Sequence, residues 1–163
     1  MTTAGPPPGD FDFLYHDWTV HHRKLATRLA GADDWCEFEG LSSTRPVLGG
    51  FGNIEDNVLM DPNGTYRALA VRNYDAETGL WRIWWLDMRF PDAIGVPVVG
   101  RFNGGRGEFV TDDTHLGKPV KLRFLWQVDA GQGPRWEQAL SADGGVTWET
   151  NWQMGFRRAG AGK

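Results

Sequence analysis

From Trp18 onward, strand-length runs of alternating apolar and polar residues fill the chain, separated by turn-forming clusters. Turn signals recur at DPNG (61–64), DAETG (75–79), NGGRG (103–107), LGK (116–118), GQG (131–133) and SADGG (141–145). The segments between them are rich in Val, Ile, Phe, Trp, Tyr and Thr, residues suited to a pleated surface. This pattern predicts ten strands near 18–28, 34–44, 54–60, 65–74, 80–89, 96–102, 107–112, 119–129, 134–141 and 147–158. The one helical candidate is a short turn in DFDFLYHD (10–17), placed as a plug at one end. Consecutive hairpins with few long crossovers favour closure over a sandwich, because closure removes exposed edges. The expected fold is all-β: a single antiparallel up-and-down barrel of about eight to ten strands, wide enough inside for one small ligand.

The stretch WRIWWLDMRF (81–90) sharpens that expectation. With a period of two, one face carries Trp81, Ile83, Trp85, Asp87 and Arg89, and the other Arg82, Trp84, Leu86 and Met88. Both faces are mostly apolar, which predicts a strand covered on both sides. Trp81 and Trp85 then belong to the barrel wall, and Asp87 with Arg89 to a polar end.

Length and composition bound the rest. A chain of 163 residues fits one domain. We expect 1–10 to be a disordered lead-in, 11–158 the barrel and 159–163 a disordered tail. Nine Trp supply large apolar area with a polar handle each, and 22 Gly suit many tight turns. A net charge of −4 without a basic block argues against nucleic acid as a partner. No run approaches the roughly 20 apolar residues of a membrane span. The start lacks the features of a signal peptide, and Cys36 is alone, so the expected location is a reducing cytoplasm. Cys36 reads as a small buried apolar residue.

FDFLYHDWTVHHRKL (11–25), RPVLGGFGNIEDN (45–57), YDAETGLWRIWWLDMR (74–89) and RWEQALSADGGVTWETNWQMGFRR (135–158) resemble the uncharacterised bacterial lipocalin-like families of the calycin superfamily. The resemblance covers almost the whole chain and implies a calycin-type barrel with a central pocket. In lipocalins an arginine from the last strand covers a tryptophan on the first, and Trp18 with Arg157 or the adjacent Arg158 matches those roles as a structural pair. The chain departs at the entry turn, where HDW (16–18) stands in place of the familiar glycine before the tryptophan. The glycine-rich entry of the haem-binding branch is also missing, so haem is not implied and no cofactor is expected.

Other clusters are weighed one by one. SADGGVTW (141–148) has the form of an Asp-box hairpin, in which Asp143 accepts bonds from turn amides and Trp148 covers the turn, a structural role. LGGFGN (48–53) lacks the following helix and lysine of a phosphate loop and reads as a strand corner. His21 and His22 are adjacent and so face opposite ways on a strand, and no ligand spacing supports a metal. If Trp18 packs inward, His22 points into the barrel, as an acid–base group or as a satisfied core histidine. The polar candidates for the interior are Glu55, Asp87, Arg89, Arg123, Glu137 and Asn151, beside Trp85 and Trp126. One arrangement pairs Arg89 or Arg123 with Asp87 or Glu137 in a Trp-walled cavity. The other leaves them as a half-solvated network at the barrel mouth.

Three functions follow. The leading one is binding of a small, largely apolar or aromatic molecule in the cavity, oriented by Asp87 and Arg89. The second is a cofactor-independent enzyme of cyclase, isomerase or decarboxylase type in the same cup, with His22, Asp87 or Glu137 transferring protons. The third is a solid barrel without a ligand. The expected partner is a small molecule, and a homodimer is left open.

Overall fold

The computed structural model describes residues 5–128 and 131–160. Among these, ten strands follow one another: β1 (Asp17–Leu25), β2 (Trp35–Val47), β3 (Gly52–Leu59), β4 (Tyr66–Asp75), β5 (Leu80–Asp87), β6 (Val98–Asn103), β7 (Arg106–His115), β8 (Lys118–Gln127), β9 (Arg135–Ser141) and β10 (Glu149–Arg158). Every strand is antiparallel to the next, and β1 also pairs with β10, so the sheet closes into an up-and-down barrel. Each of the ten expected strands is present within a few residues. The first four residues, the expected strand end at 129 and the last three residues of the tail lie outside the described residues.

Alternation decides what faces inward. In β1, Trp18, Val20 and His22 are buried while Asp17 and His21 are exposed. In β4 the buried set is Tyr66, Ala68, Ala70 and Arg72, and in β5 it is led by Trp81 and Ile83. Small residues on β4 leave room for the large rings opposite, so the centre fills without strain.

The N-terminal segment plugs one end. A 3-10 turn at Asp12–Leu14 places Phe11 and Leu14 out of solvent. Phe11 meets Trp81 edge-on at 4.9 Å and Phe102 at 5.1 Å. Trp81 Nε1 donates to Asp10 Oδ2 (2.9 Å), and Trp18 Nε1 donates to the Leu14 carbonyl (3.0 Å). Packing starts ahead of residue 11: Gly50, at φ +94°, lets Pro7 approach to where a Cβ would lie 2.8 Å from the Pro7 Cβ. Only a glycine suits that position.

The opposite end is less complete. β6 pairs with β5 at three positions, Trp81 to Ile83 against Val98 to Gly100. Its pairing with β7 stops at Val99 and Val110. Trp84–Asp87 and Thr111–His115 therefore face each other across a gap in the wall. The segment 88–97 spans that gap and leaves Met88, Phe90, Ile94 and Val96 exposed.

Candidate functional site

Inside the barrel, Glu55 and Arg72 form a salt bridge and are only 2% and 3% exposed. Arg72 Nη1 also donates to Asn53 Oδ1 (2.8 Å), and Ser42 Oγ donates to Glu55 Oε1 (3.3 Å). The guanidinium carbon lies 4.8 Å from the Phe11 ring and 5.7 Å from the Trp126 ring. Two unlike charges taken out of water persist because each is paired and further hydrogen-bonded. Beside the pair, a void of about 20 Å³ is lined by Glu55, Arg72, Ile83, Trp85, Phe124 and Trp126, among others. Such a space holds about one water molecule. Most of the barrel centre is thus occupied by side chains.

Larger spaces lie toward the gap. A recess of about 140 Å³ is bounded by Ile83, Trp85, Gly95, Val96, Leu122 and Phe124, with Asp112 and Asp113 at its lip. Ile83, Trp85 and Phe124 line both this recess and the central void, so one aromatic wall runs from surface to core. Trp85 packs edge-on to Trp152 at 5.6 Å, and Trp152 packs edge-on to Trp136 at 5.4 Å. A second recess of about 280 Å³ lies at the rim, lined by Asp61, Thr65, Tyr66, Met88 and Arg89 among others.

Asp87 and Arg89 do sit together, but at the rim. Arg89 Nη2 and Nε donate to the two Asp87 oxygens at 2.7 and 3.0 Å, and the side chains are 14% (Asp87) and 44% (Arg89) exposed. The Arg89 side-chain bonds hold the Asp87 carboxyl below the usual carboxylate range. Strand β5 ends at Asp87, so Arg89 belongs to the turn and lays its guanidinium on the Tyr66 ring at 3.5 Å. The pair caps Tyr66 and satisfies itself.

His22 is buried and stacks on Phe38 at 4.8 Å, while its Nδ1 accepts a bond from Trp152 Nε1 (3.1 Å). Burial, with Lys24 nearby, pushes the imidazole down to about 3. It is a neutral core histidine at physiological pH. An unfolded chain takes up a proton near pH 6.5 that the folded state refuses until about 3. Stability is therefore complete above the unfolded value and is lost as the pH falls through this window, by up to about 1.4 kcal/mol per pH unit. Urea midpoints should show the wild type losing about 2 kcal/mol more than His22→Gln between about pH 7 and about pH 5.

Several expected site residues face elsewhere. Arg123 and Glu137 point outward, since on β8 and β9 it is Phe124 and Trp126, Trp136 and Gln138 that face the interior. Arg123 stacks on Trp148 at 4.3 Å, and Glu137 lines an outer groove of about 260 Å³ with His21, Arg23 and Leu125. Neither pairs with Asp87 or Arg89. Trp126 is inside, but at the plugged end against Phe13 and Phe156. Asn151 is buried at an irregularity in β10, where its Oδ1 accepts from Gln138 Nε2 at 2.9 Å. Arg158, opposite Trp18 in register, lies 5.3 Å from that indole; Arg157 is on the outer face, 71% exposed, near Glu39. Of the two arginines it is therefore Arg158 that covers Trp18. The Asp143 carboxylate accepts from the Val146 and Thr147 amides and the Thr147 hydroxyl, and is held down at about 2 mainly by that hydroxyl. Trp148 Nε1 donates to the Gly145 carbonyl (3.1 Å).

Arg72, Lys24 and Tyr66 also belong to the barrel interior and its rim, without any motif in the sequence to mark them. Lys24 Nζ donates to Tyr66 Oη (3.3 Å) and lies 4.1 Å from the centre of the Trp152 ring. Burial lowers Lys24 to about 8, with Arg28 and Arg89 adding to the effect, and burial raises Tyr66 to about 12. Among the described residues, no three His, Cys, Asp or Glu side chains group as a metal site, and no helix is long and apolar enough to cross a membrane.

No protein-family model and no curated protein matches this chain. Fold and geometry define a closed ten-stranded barrel, plugged at one end and aromatic at the other. Its buried aromatic clusters are compatible with ligand binding.

Proposed function

We propose that this protein binds a small, largely apolar or aromatic molecule at the unplugged end of a lipocalin-like barrel, with the guest seated between Trp85 and the segment 88–97. One observation carries the reading: Ile83, Trp85 and Phe124 form a continuous wall between the 140 Å³ recess and the core. The wall opens where β5 and β7 lack a strand between them. Exposed Val96, which borders the recess, supplies apolar surface that a guest would cover. The up-and-down closure, the N-terminal plug and the Arg158–Trp18 contact support the calycin likeness. The polar end of the site is the rim of Tyr66, Lys24 and the Asp87–Arg89 pair.

A solid barrel without a guest is the second reading, favoured by the central void of only about 20 Å³. Catalysis by the three expected proton carriers has less behind it, because His22, Asp87 and Glu137 do not converge. Titrating the protein with 2-naphthalenemethanol while following tryptophan fluorescence decides between guest and solid barrel. Saturable binding, weakened about tenfold or more by Trp85→Ala, is the expected result. No saturable change, or equal binding by Trp85→Ala, would sink the binding reading at this wall.

A further inference from the structure

We infer that Lys24 is a carbonyl-reactive amine, so that the guest of the aromatic end is an aldehyde or ketone held as an imine on Nζ. The inference rests on the binding reading above and gives its ligand a chemical class. The chain has four lysines, at 24, 118, 121 and 163. Lys118 is exposed on the β7–β8 hairpin, and Lys121 Nζ donates to Asp112 (2.7 Å) on the outer face. Lys24 instead continues the inward row of Trp18, Val20 and His22. Its nitrogen lies 4.1 Å from the centre of the Trp152 ring, which also packs edge-on to Trp85, and its partner Tyr66 lines the 280 Å³ rim recess with Arg89. No carboxylate lies within salt-bridge distance of Nζ among the described residues; its side-chain partner is the Tyr66 phenol.

The groups facing Nζ explain why a free amine is available there. His22 lies two residues earlier on the same inward row, Arg28 follows β1, and Asp61, Tyr66, Asp87 and Arg89 contribute from the rim. Asp87 is engaged by Arg89, so its charge is largely answered. Partial burial and two neighbouring guanidinium groups disfavour the ammonium form, with the amine titrating near 8. At neutral pH an amine of this kind has roughly two- to three-hundredfold more free base than an ordinary lysine.

The step balances without a further reactant. The free amine adds its lone pair to the carbonyl carbon, and a proton passes from nitrogen to the carbonyl oxygen, with the Tyr66 hydroxyl placed to relay it. The carbinolamine then takes a proton from solvent on its oxygen and loses water, leaving the protonated imine, which returns that proton to solvent when it relaxes to the neutral imine. Cys36, across the strand pair from Lys24, forms with an aldehyde only a hemithioacetal, which a mild hydride donor does not fix.

Reductive trapping tests this. The intact protein is incubated with 2-naphthaldehyde and cyanoborohydride near neutral pH, and the sites of alkylation are read by peptide mass mapping. We expect Lys24 to label at least tenfold faster than Lys118 and Lys121, with the rate rising as the pH passes through about 8. 2-Naphthalenemethanol should compete, Lys24→Arg should abolish the fast phase, and Tyr66→Phe should slow it. If the alcohol binds but Lys24 labels no faster than Lys118, the imine is overturned and the binding reading survives. If neither the alcohol nor the aldehyde is held, both fall. Fast labelling that the alcohol fails to block would detach the amine from the aromatic wall and overturn the inference.

Discussion

Arg72→Met should lower the free energy of unfolding by about 3–5 kcal/mol, because it leaves Glu55 as an uncompensated charge in the barrel interior. Glu55 would keep only the 3.3 Å bond from Ser42 Oγ as a side-chain partner, and Asn53 Oδ1 would lose its donor. The Asn53 carbonyl group and the Phe11 ring would also lose the guanidinium that now touches both. Denaturant unfolding of the single variant beside Glu55→Leu/Arg72→Met separates the two parts of that cost. The double variant removes both charges together, and most of the lost stability should return. A double variant as unstable as the single one would mean that the pair matters for shape rather than for charge.

The second large effect belongs to Phe11. Truncation to alanine should cost about 3–5 kcal/mol, since a fully buried ring is removed from a packed site. Trp81, Phe102, Phe109 and Trp126 all border the space that opens. The free energies of Phe11→Ala and Arg72→Met should not add, because ring and guanidinium touch; a coupling of about 0.5–3 kcal/mol is expected from the double-mutant cycle. Near-zero coupling would show that the plug and the ion pair stabilise the barrel independently. A loss below about 1 kcal/mol for Phe11→Ala would mean the N-terminal turn is an accessory to the barrel rather than part of its core.

Strand number, turn positions and the inward face of β5 were legible because turn chemistry and two-residue alternation are local properties. Trp81 and Ile83 face inward as the period requires, and SADGGVTW makes the Asp-centred turn its residues imply. The site was less legible. Trp126 and Arg123 are an odd number of residues apart on one strand, so they cannot both face the cavity; choosing the charged set as internal put Arg123 and Glu137 on the wrong side. Asp87 and Arg89 share a parity, but the strand ends between them, and no sequence period extends beyond a strand end. Arg72 does not stand out in the sequence because arginine is ordinarily at the surface. The row Tyr66, Ala68, Ala70, Arg72 carried the signal, and Glu55 was its waiting partner. Which of Arg157 and Arg158 covers Trp18 depended on the β1–β10 register, a long-range property.

That closing register also orders events as the chain is made. The first strand emerges early, yet its second neighbour is the tenth, so throughout synthesis β1 presents bare amides and carbonyls on one flank. Until the last segment arrives, such a flank is open to strands of other nascent copies. Ring closure therefore sets the interval in which a newborn molecule is most prone to aggregate.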